Sequence, residues 1–143
     1  MTVPDLPADG GFLLRPWRLT DLPAVAEAAA DPYIPLITSV PAVYSDAEGA
    51  AFVRRQWARA ADGVGYSFAI ARDGRAVGQI GLWPGPHGRG SVGYWVAGSA
   101  RGQGVACAAL RTCTPGSRAE VFRRWVCGPP HGPAGPASLA LRS

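Results

Sequence analysis

The chain has 143 residues, 48% hydrophobic and 17% charged, which suits one globular domain and excludes an intrinsically disordered composition. No stretch approaches the roughly 20 apolar residues of a membrane helix. The opening "MTVPDLPADGG" carries two acids and no basic side chain, unlike a secretory leader, so a cytoplasmic setting is expected. The net charge of +4 does not argue for nucleic acid, because residues 1–100 hold eight Arg against nine acids while residues 101–143 hold six Arg against one Glu.

The three cysteines are odd in number and lack CxxC or His-partnered spacing, so neither a disulfide framework nor a zinc site is suggested. All fourteen cationic residues are Arg, and the chain has no Lys and no Asn. Both missing types need A-rich codons, which points to GC-rich bacterial coding DNA.

Residues 1–11 read as a disordered lead. "FLLRPW" (12–17) reads as the opening strand, closed by Pro16. A helix follows, with Thr20 as cap, Asp21 in the dipole-favoured first turn and Pro23 tolerated there, and it propagates through alanines to Ala30. "DPYIPLITSVPAVY" (31–44) reads as a loop, either a wall of a substrate groove or a connector packed on the core.

Ser45 and Glu48 make a capping box, and the helix they open runs to about Ala60. Phe52, Val53, Gln56, Trp57 and Ala60 share its buried face, leaving Arg54, Arg55 and Arg59 to solvent. "YSFAIAR" (66–72) and "AVGQIGLW" (76–83) flank Asp73-Gly74, the clearest hairpin in the chain. "PGPHGRG" then leads to a third strand, "SVGYWV" (91–96). The order is that of an α/β protein with a mixed, largely antiparallel sheet flanked by helices, without βαβ repeats.

Two glycine turns compete for a ligand. Residues 88–93, "GRGSVG", match GxGxxG, but a hairpin loop precedes them and a strand follows, the reverse of a dinucleotide site. "ARGQGVA" (100–106) stands in the right place, after a strand and opening a helix. Glycines let backbone approach a ligand, and the first helical amides lack intrahelical partners, so such a turn suits a phosphate or pyrophosphate. An ordinary strand-to-helix connection fits the same residues equally well.

"VGYWVAGSARGQGVACAAL" (92–110) resembles the acyl-CoA segment of the GNAT N-acetyltransferase superfamily, with signature Arg/Gln-x-x-Gly-x-Gly/Ala. Arg101, Gly104 and Ala106 stand at its defining positions, with Gly102, Gln103 and Val105 between them. "LLRPWRLTDLPAVAEAAADP" and the hairpin resemble the ribosomal-protein-alanine acetyltransferase branch. The likeness runs from about Phe12 to Leu110.

The resemblance implies that residues 102–106 hold the acetyl-CoA pyrophosphate. It also implies that the backbone of Tyr94, Trp95 and Val96 bonds the pantetheine arm as a pseudo-strand. One amide there would face the thioester oxygen and stabilise the oxyanion. A primary amine, on a protein N-terminus or a small molecule, would attack acetyl-CoA directly, with no metal. No catalytic base is assigned: His87 suits a solvated loop, and Tyr66 and Ser91 are the other polar groups expected near the cleft. Trp17, Trp57, Trp83 and Trp95 suit core or groove packing.

Beyond Leu110 the likeness ends. The family's later strands, its Asn-centred CoA contact and its Ser or Tyr acid are not recognisable. Residues 115–143 hold nine Pro or Gly in 29 positions, with Pro129-Pro130 among them. The expected organisation is therefore a lead (1–11), a partial acyl-CoA-binding domain (12–113) and a Pro/Gly/Arg-rich tail (114–143), with the C-terminal strands missing. The tail has the composition of GC-rich DNA read out of frame, and a natural flexible tail is the alternative. The 91–96 edge would then stand open. The expected function is an N-acetyltransferase whose damaged C-terminus puts turnover in question. The alternatives are a non-catalytic acyl-CoA-binding remnant or, from the tail, an Arg-rich nucleic-acid binder.

Overall fold

The computed structural model describes residues 5–84, 89–113 and 137–142. Ten elements follow in order: β1 (Leu6–Pro7), β2 (Phe12–Arg15), α1 (Leu22–Ala29), α2 (Ile34–Ile37), α3 (Asp46–Ala61), β3 (Tyr66–Arg72), β4 (Arg75–Pro84), β5 (Arg89–Val96), α4 (Val105–Cys113) and β6 (Ala137–Arg142). The strands form one six-stranded sheet in sequence order, and every pairing is antiparallel.

Strand alternation sends side chains to two cores. Phe12, Leu14, Phe68, Ile70, Ile80 and Val92 pack under α4 with Val105, Ala108, Ala109 and Leu110. On the other face Trp17, Ala69 and Trp95 pack against α1 and α3 through Val25, Ala28, Phe52 and Val53. Trp17 meets Phe52 edge-on at 5.2 Å and lies 6.0 Å from Trp95. The sheet is thus covered on both faces, the arrangement expected of helices flanking a mixed α/β core.

Local chemistry sets several boundaries as expected. Ser45 Oγ accepts the Glu48 amide at 3.1 Å and starts α3. Asp73 and Gly74 turn the β3–β4 hairpin at φ 53° and 79°, the left-handed pair of a type I′ turn. Other expectations change. Thr20 does not cap α1: a 3-10 turn over Leu19–Asp21 precedes it, and the Asp21 carboxylate turns inward to Arg15. A bidentate guanidinium satisfies that carboxylate better than a helix end does.

Residues 31–44 are not a plain loop, because Asp31 accepts the amides of Tyr33 and Ile34 and so opens α2. Arg59 is not simply solvated, since its guanidinium lies 5.4 Å over the Trp83 ring and donates to Ser39 Oγ at 3.4 Å. Trp57 shares the α3 face less fully than expected, remaining exposed while its Nε1 donates to the Trp17 carbonyl at 2.7 Å.

Both expected termini of the domain shift. Within the lead, Leu6 and Pro7 pair with Leu14 and Leu13, adding an edge strand. The 91–96 strand is not left open, because β6 pairs along it from Arg89↔Arg142 to Tyr94↔Ala137. "ASLALR" carries neither Pro nor Gly, so every residue has the amide a ladder needs. The Pro/Gly density upstream of it conceals that run. Cys107 is disulfide-bonded, which the cysteine spacing did not suggest. Cys127 and His131 lie outside the described residues.

Candidate active site

The site begins where β5 leaves the sheet. Ala97 donates to the Val77 carbonyl at 2.8 Å, the last rung between β5 and β4. A 3-10 turn over Gly98–Ala100 then carries the chain to the glycine loop. Gly102 and Gly104 take φ 78° and 76°, the left-handed region, and a Cβ at either would meet nothing within 4 Å. These glycines therefore serve backbone direction and an open approach, and no neighbour demands their small size.

Ala108 donates to the Gly104 carbonyl at 3.0 Å, so the helical ladder of α4 starts at Gly104. The amides of Val105 and Ala106 precede that first rung and carry the positive end of the helix dipole. Val105 is buried and anchors the loop on the α4 core, while Gly102, Gln103 and Gly104 stay exposed. Exposed backbone on an apolar anchor is what an anion cradle requires.

Side chains from distant elements hold this loop. Glu27 of α1 accepts both the amide and the hydroxyl of Ser99, at 3.1 and 2.9 Å. Asp31 accepts Nη2 of Arg101 at 2.7 Å. Arg72, at the end of β3, donates to Gln103 Oε1 at 3.0 Å and stacks 4.0 Å over the Phe12 ring. Sequence patterning missed Glu27, Asp31 and Arg72. Each lies more than 30 residues from its partner, where no periodic signal reaches. Burial alone would push the Asp31 carboxyl up, but the amides of Tyr33 and Ile34 and the Arg101 guanidinium outweigh it and hold it below the ordinary carboxylate range.

The three β5 residues differ in what their backbone faces. Because Ala97 bonds Val77, antiparallel alternation turns the Trp95 backbone toward Gln79 and those of Tyr94 and Val96 toward the opposite edge. Tyr94 lies opposite Ala137, the first residue of β6, and among the described residues no β6 pair reaches Val96. Gly78 lets the strands close here, since a Cβ on it would stand 2.5 Å from the Trp95 carbonyl oxygen.

The Trp95 indole donates to Gln79 Oε1 at 2.6 Å, within a buried network that also joins Ser67 and Gln56. Burial pushes the Tyr94 phenol up from its ordinary range. Tyr66 stacks on Phe68 at 6.2 Å, His87 lies outside the described residues, and the Ser91 side chain is likewise outside them.

The strand, the left-handed glycine loop and the following helix lie in the order that the family signature requires. A model of the acetyltransferase (GNAT) domain matches residues 12–130. The chain belongs to the GNAT acetyltransferase family. It is accordingly an acyl-CoA N-acyltransferase, and the family expected from the sequence is borne out. The match continues past Leu110, where the likeness was expected to end.

Among solved structures the acetyltransferase is similar to Mycobacterium smegmatis RimJ in complex with CoA-disulfide. That match has 21% identity and a TM-score of 0.63, covering 99% of this chain and 87% of the other. An acetyltransferase from Agrobacterium tumefaciens str. C58 matches at 18% identity and TM-score 0.62, covering 100% and 96%. RimL, a ribosomal L7/L12 alpha-N-protein acetyltransferase, matches at 19% identity and TM-score 0.59, covering 90% and 68%. At these identities the likeness is one of fold. No curated protein matches the chain. Among the described residues no helix is long and apolar enough to cross a membrane.

Proposed function

We propose that this acetyltransferase binds acetyl-CoA at the loop of residues 101–106 and transfers the acetyl group to a primary amine on a protein N-terminus. The observation that carries the acyl-CoA assignment is the pair of left-handed, uncrowded glycines, Gly102 and Gly104, directly ahead of the unladdered amides of Val105 and Ala106. These amides would take the pyrophosphate, with Gln103 held aside by Arg72. Arg101 adds charge nearby, although Asp31 already claims one edge of its guanidinium.

The pantetheine arm would run along the β5 edge beyond β6. Of the three residues expected to bond it, Val96 is the one whose backbone faces that edge past the last β6 pair among the described residues. Acetyl-CoA would supply the thioester as co-substrate. The Val96 amide is then the donor for the carbonyl oxygen as the amine attacks and the thiol leaves.

A protein acceptor is supported by the surface beside the loop. Tyr33, Leu36 and Ile37, on the α2 segment that Asp31 joins to Arg101, are 61%, 76% and 63% exposed, an apolar strip suited to a peptide rather than a small polar amine. RimL, a ribosomal L7/L12 alpha-N-protein acetyltransferase whose fold matches, is consistent with that class of acceptor.

Calorimetric titration with acetyl-CoA tests the first step, and thiol release with a panel of N-terminal peptides tests the second. Binding with thiol release is expected. Binding without release from any amine would identify a non-catalytic acyl-CoA-binding remnant, and no binding would overturn the assignment.

A further inference from the structure

One carboxylate joins the glycine loop to the apolar strip. Asp31 Oδ2 accepts Nη2 of Arg101 at 2.7 Å, while Oδ1 accepts the amides of Tyr33 at 2.8 Å and Ile34 at 3.1 Å. The two oxygens thus serve two different segments: one side holds the acyl-CoA loop, the other the first turn of α2. The Asp31 side chain is 10% exposed and that of Arg101 31%, so water competes little at the carboxylate. Thr38 closes the far end of the same segment, its hydroxyl donating to the Ile34 carbonyl at 2.6 Å. Arg101 has an asymmetric set of partners. Its Nη2 is committed to Asp31, and its buried Nε has no partner among the described residues.

A guanidinium is a rigid planar fork, so fixing one edge orients the other. An anion drawn to the Arg101 side of the loop would therefore immobilise the fork, and with it the carboxylate that shapes residues 31–34. The electrostatic neighbours at the junction are few. Glu27 is engaged with Ser99, and no other acid is recorded within salt-bridge distance of Arg101 among the described residues.

We propose that Asp31 is a positioning residue that couples the two substrate sites: occupation of the glycine loop by acetyl-CoA orders the apolar segment 33–37 that receives the acceptor. This rests on the acyl-CoA assignment above. Linkage makes the coupling reciprocal, so an acceptor peptide bound on 33–37 tightens acetyl-CoA in turn.

Amide hydrogen exchange read by mass spectrometry, with and without saturating acetyl-CoA, tests the proposal. In the unaltered protein, exchange across residues 33–37 is expected to slow on binding. Asp31→Asn retains an oxygen for the two amides and turns an NH2 group toward Arg101, so it severs the ion pair while keeping the α2 turn. This variant is expected to lose the roughly fivefold or greater tightening of acetyl-CoA that an acceptor peptide gives the unaltered protein. Its exchange at 33–37 should be the same with and without ligand. A merely structural role would speed exchange equally in both states.

Unchanged exchange at 33–37 in the unaltered protein, with acetyl-CoA bound by calorimetry, overturns the coupling without recourse to any variant. So does an Asp31→Asn protein that responds as the unaltered one does. Failure of the unaltered protein to bind acetyl-CoA would instead remove the functional assignment on which the coupling rests.

Discussion

Arg15 and Asp21 face each other as a buried two-pronged ion pair, Nη1 to Oδ2 and Nη2 to Oδ1, both at 2.8 Å. The same carboxylate accepts the Arg18 amide at 2.8 Å, so it also shapes the turn that enters α1. The hydrogen bond that Arg15 donates to Asp21 raises the Arg15 pKa further, against the opposing effect of burial. Removing one member of such a pair strands the other charge in the core. Asp21→Ala should therefore lower the unfolding free energy by about 3–5 kcal/mol, while the paired replacement Arg15→Met with Asp21→Leu costs much less. Urea denaturation of the three proteins checks the contrast.

Gly78 and Trp95 decide how tightly β4 and β5 close beside the site. Gly78→Ala would bring a Cβ to 2.5 Å from a backbone oxygen, which no side-chain rotation can relieve. The strands must part, at a cost of about 1–3 kcal/mol. Because Val96 follows directly, acetyl-CoA affinity should fall together with stability, read by denaturation and calorimetry on the same protein.

Gly104→Ala separates backbone strain from crowding. A Cβ there meets nothing within 4 Å, yet φ 76° is disfavoured for alanine. The expected result is a small loss of stability, about 1 kcal/mol, with a disproportionate rise in the KM for acetyl-CoA as the loop shifts. A rise in KM no larger than that of a surface control would show that the loop conformation is not used for binding.

Gln79 holds the Trp95 indole through Oε1 at 2.6 Å while Nε2 reaches Gln56 and Ser67. Gln79→Leu leaves the indole N–H unpaired in the core and should cost about 1–3 kcal/mol. Near-ultraviolet circular dichroism, sensitive to the packing of Trp17 and Trp95, should lose intensity before the backbone signal changes.

Asp31 ties stability to pH. Its carboxyl titrates below the ordinary range when folded, so at low pH the unfolded chain binds the proton more readily. The stability it contributes is complete above the unfolded carboxylate pKa and is lost as pH falls through the lower folded value. Asp31→Asn should flatten that acid limb, and melting temperatures measured from pH 3 to 7 would reveal it.

Much of this architecture is legible from local patterns. The Ser45 cap, the Asp73-Gly74 turn and the 66–72 strand beside it act over a few residues, and the structure keeps all three. The glycine loop was legible for the same reason: strand, left-handed turn and helix start are contiguous in the chain. By contrast, nothing local in the chain signals that Arg101 pairs with Asp31, 70 residues earlier. Arg72 reads as the end of a hairpin strand, yet it restrains Gln103.

The β5 edge shows the difference most plainly. Its own residues say that it is a strand, but whether its outer hydrogen-bonding groups meet a ligand or another strand depends on a partner far along the chain. The answer is β6 as far as Tyr94. What the sequence by itself determined is therefore the strand–loop–helix unit proposed to take the acyl-CoA phosphates, since backbone preference and helix initiation are local. Which charges hold that loop, and how far along β5 the described β6 residues pair, only the tertiary structure decided, because ion pairs and strand pairing act through space and leave no short-range mark in the chain.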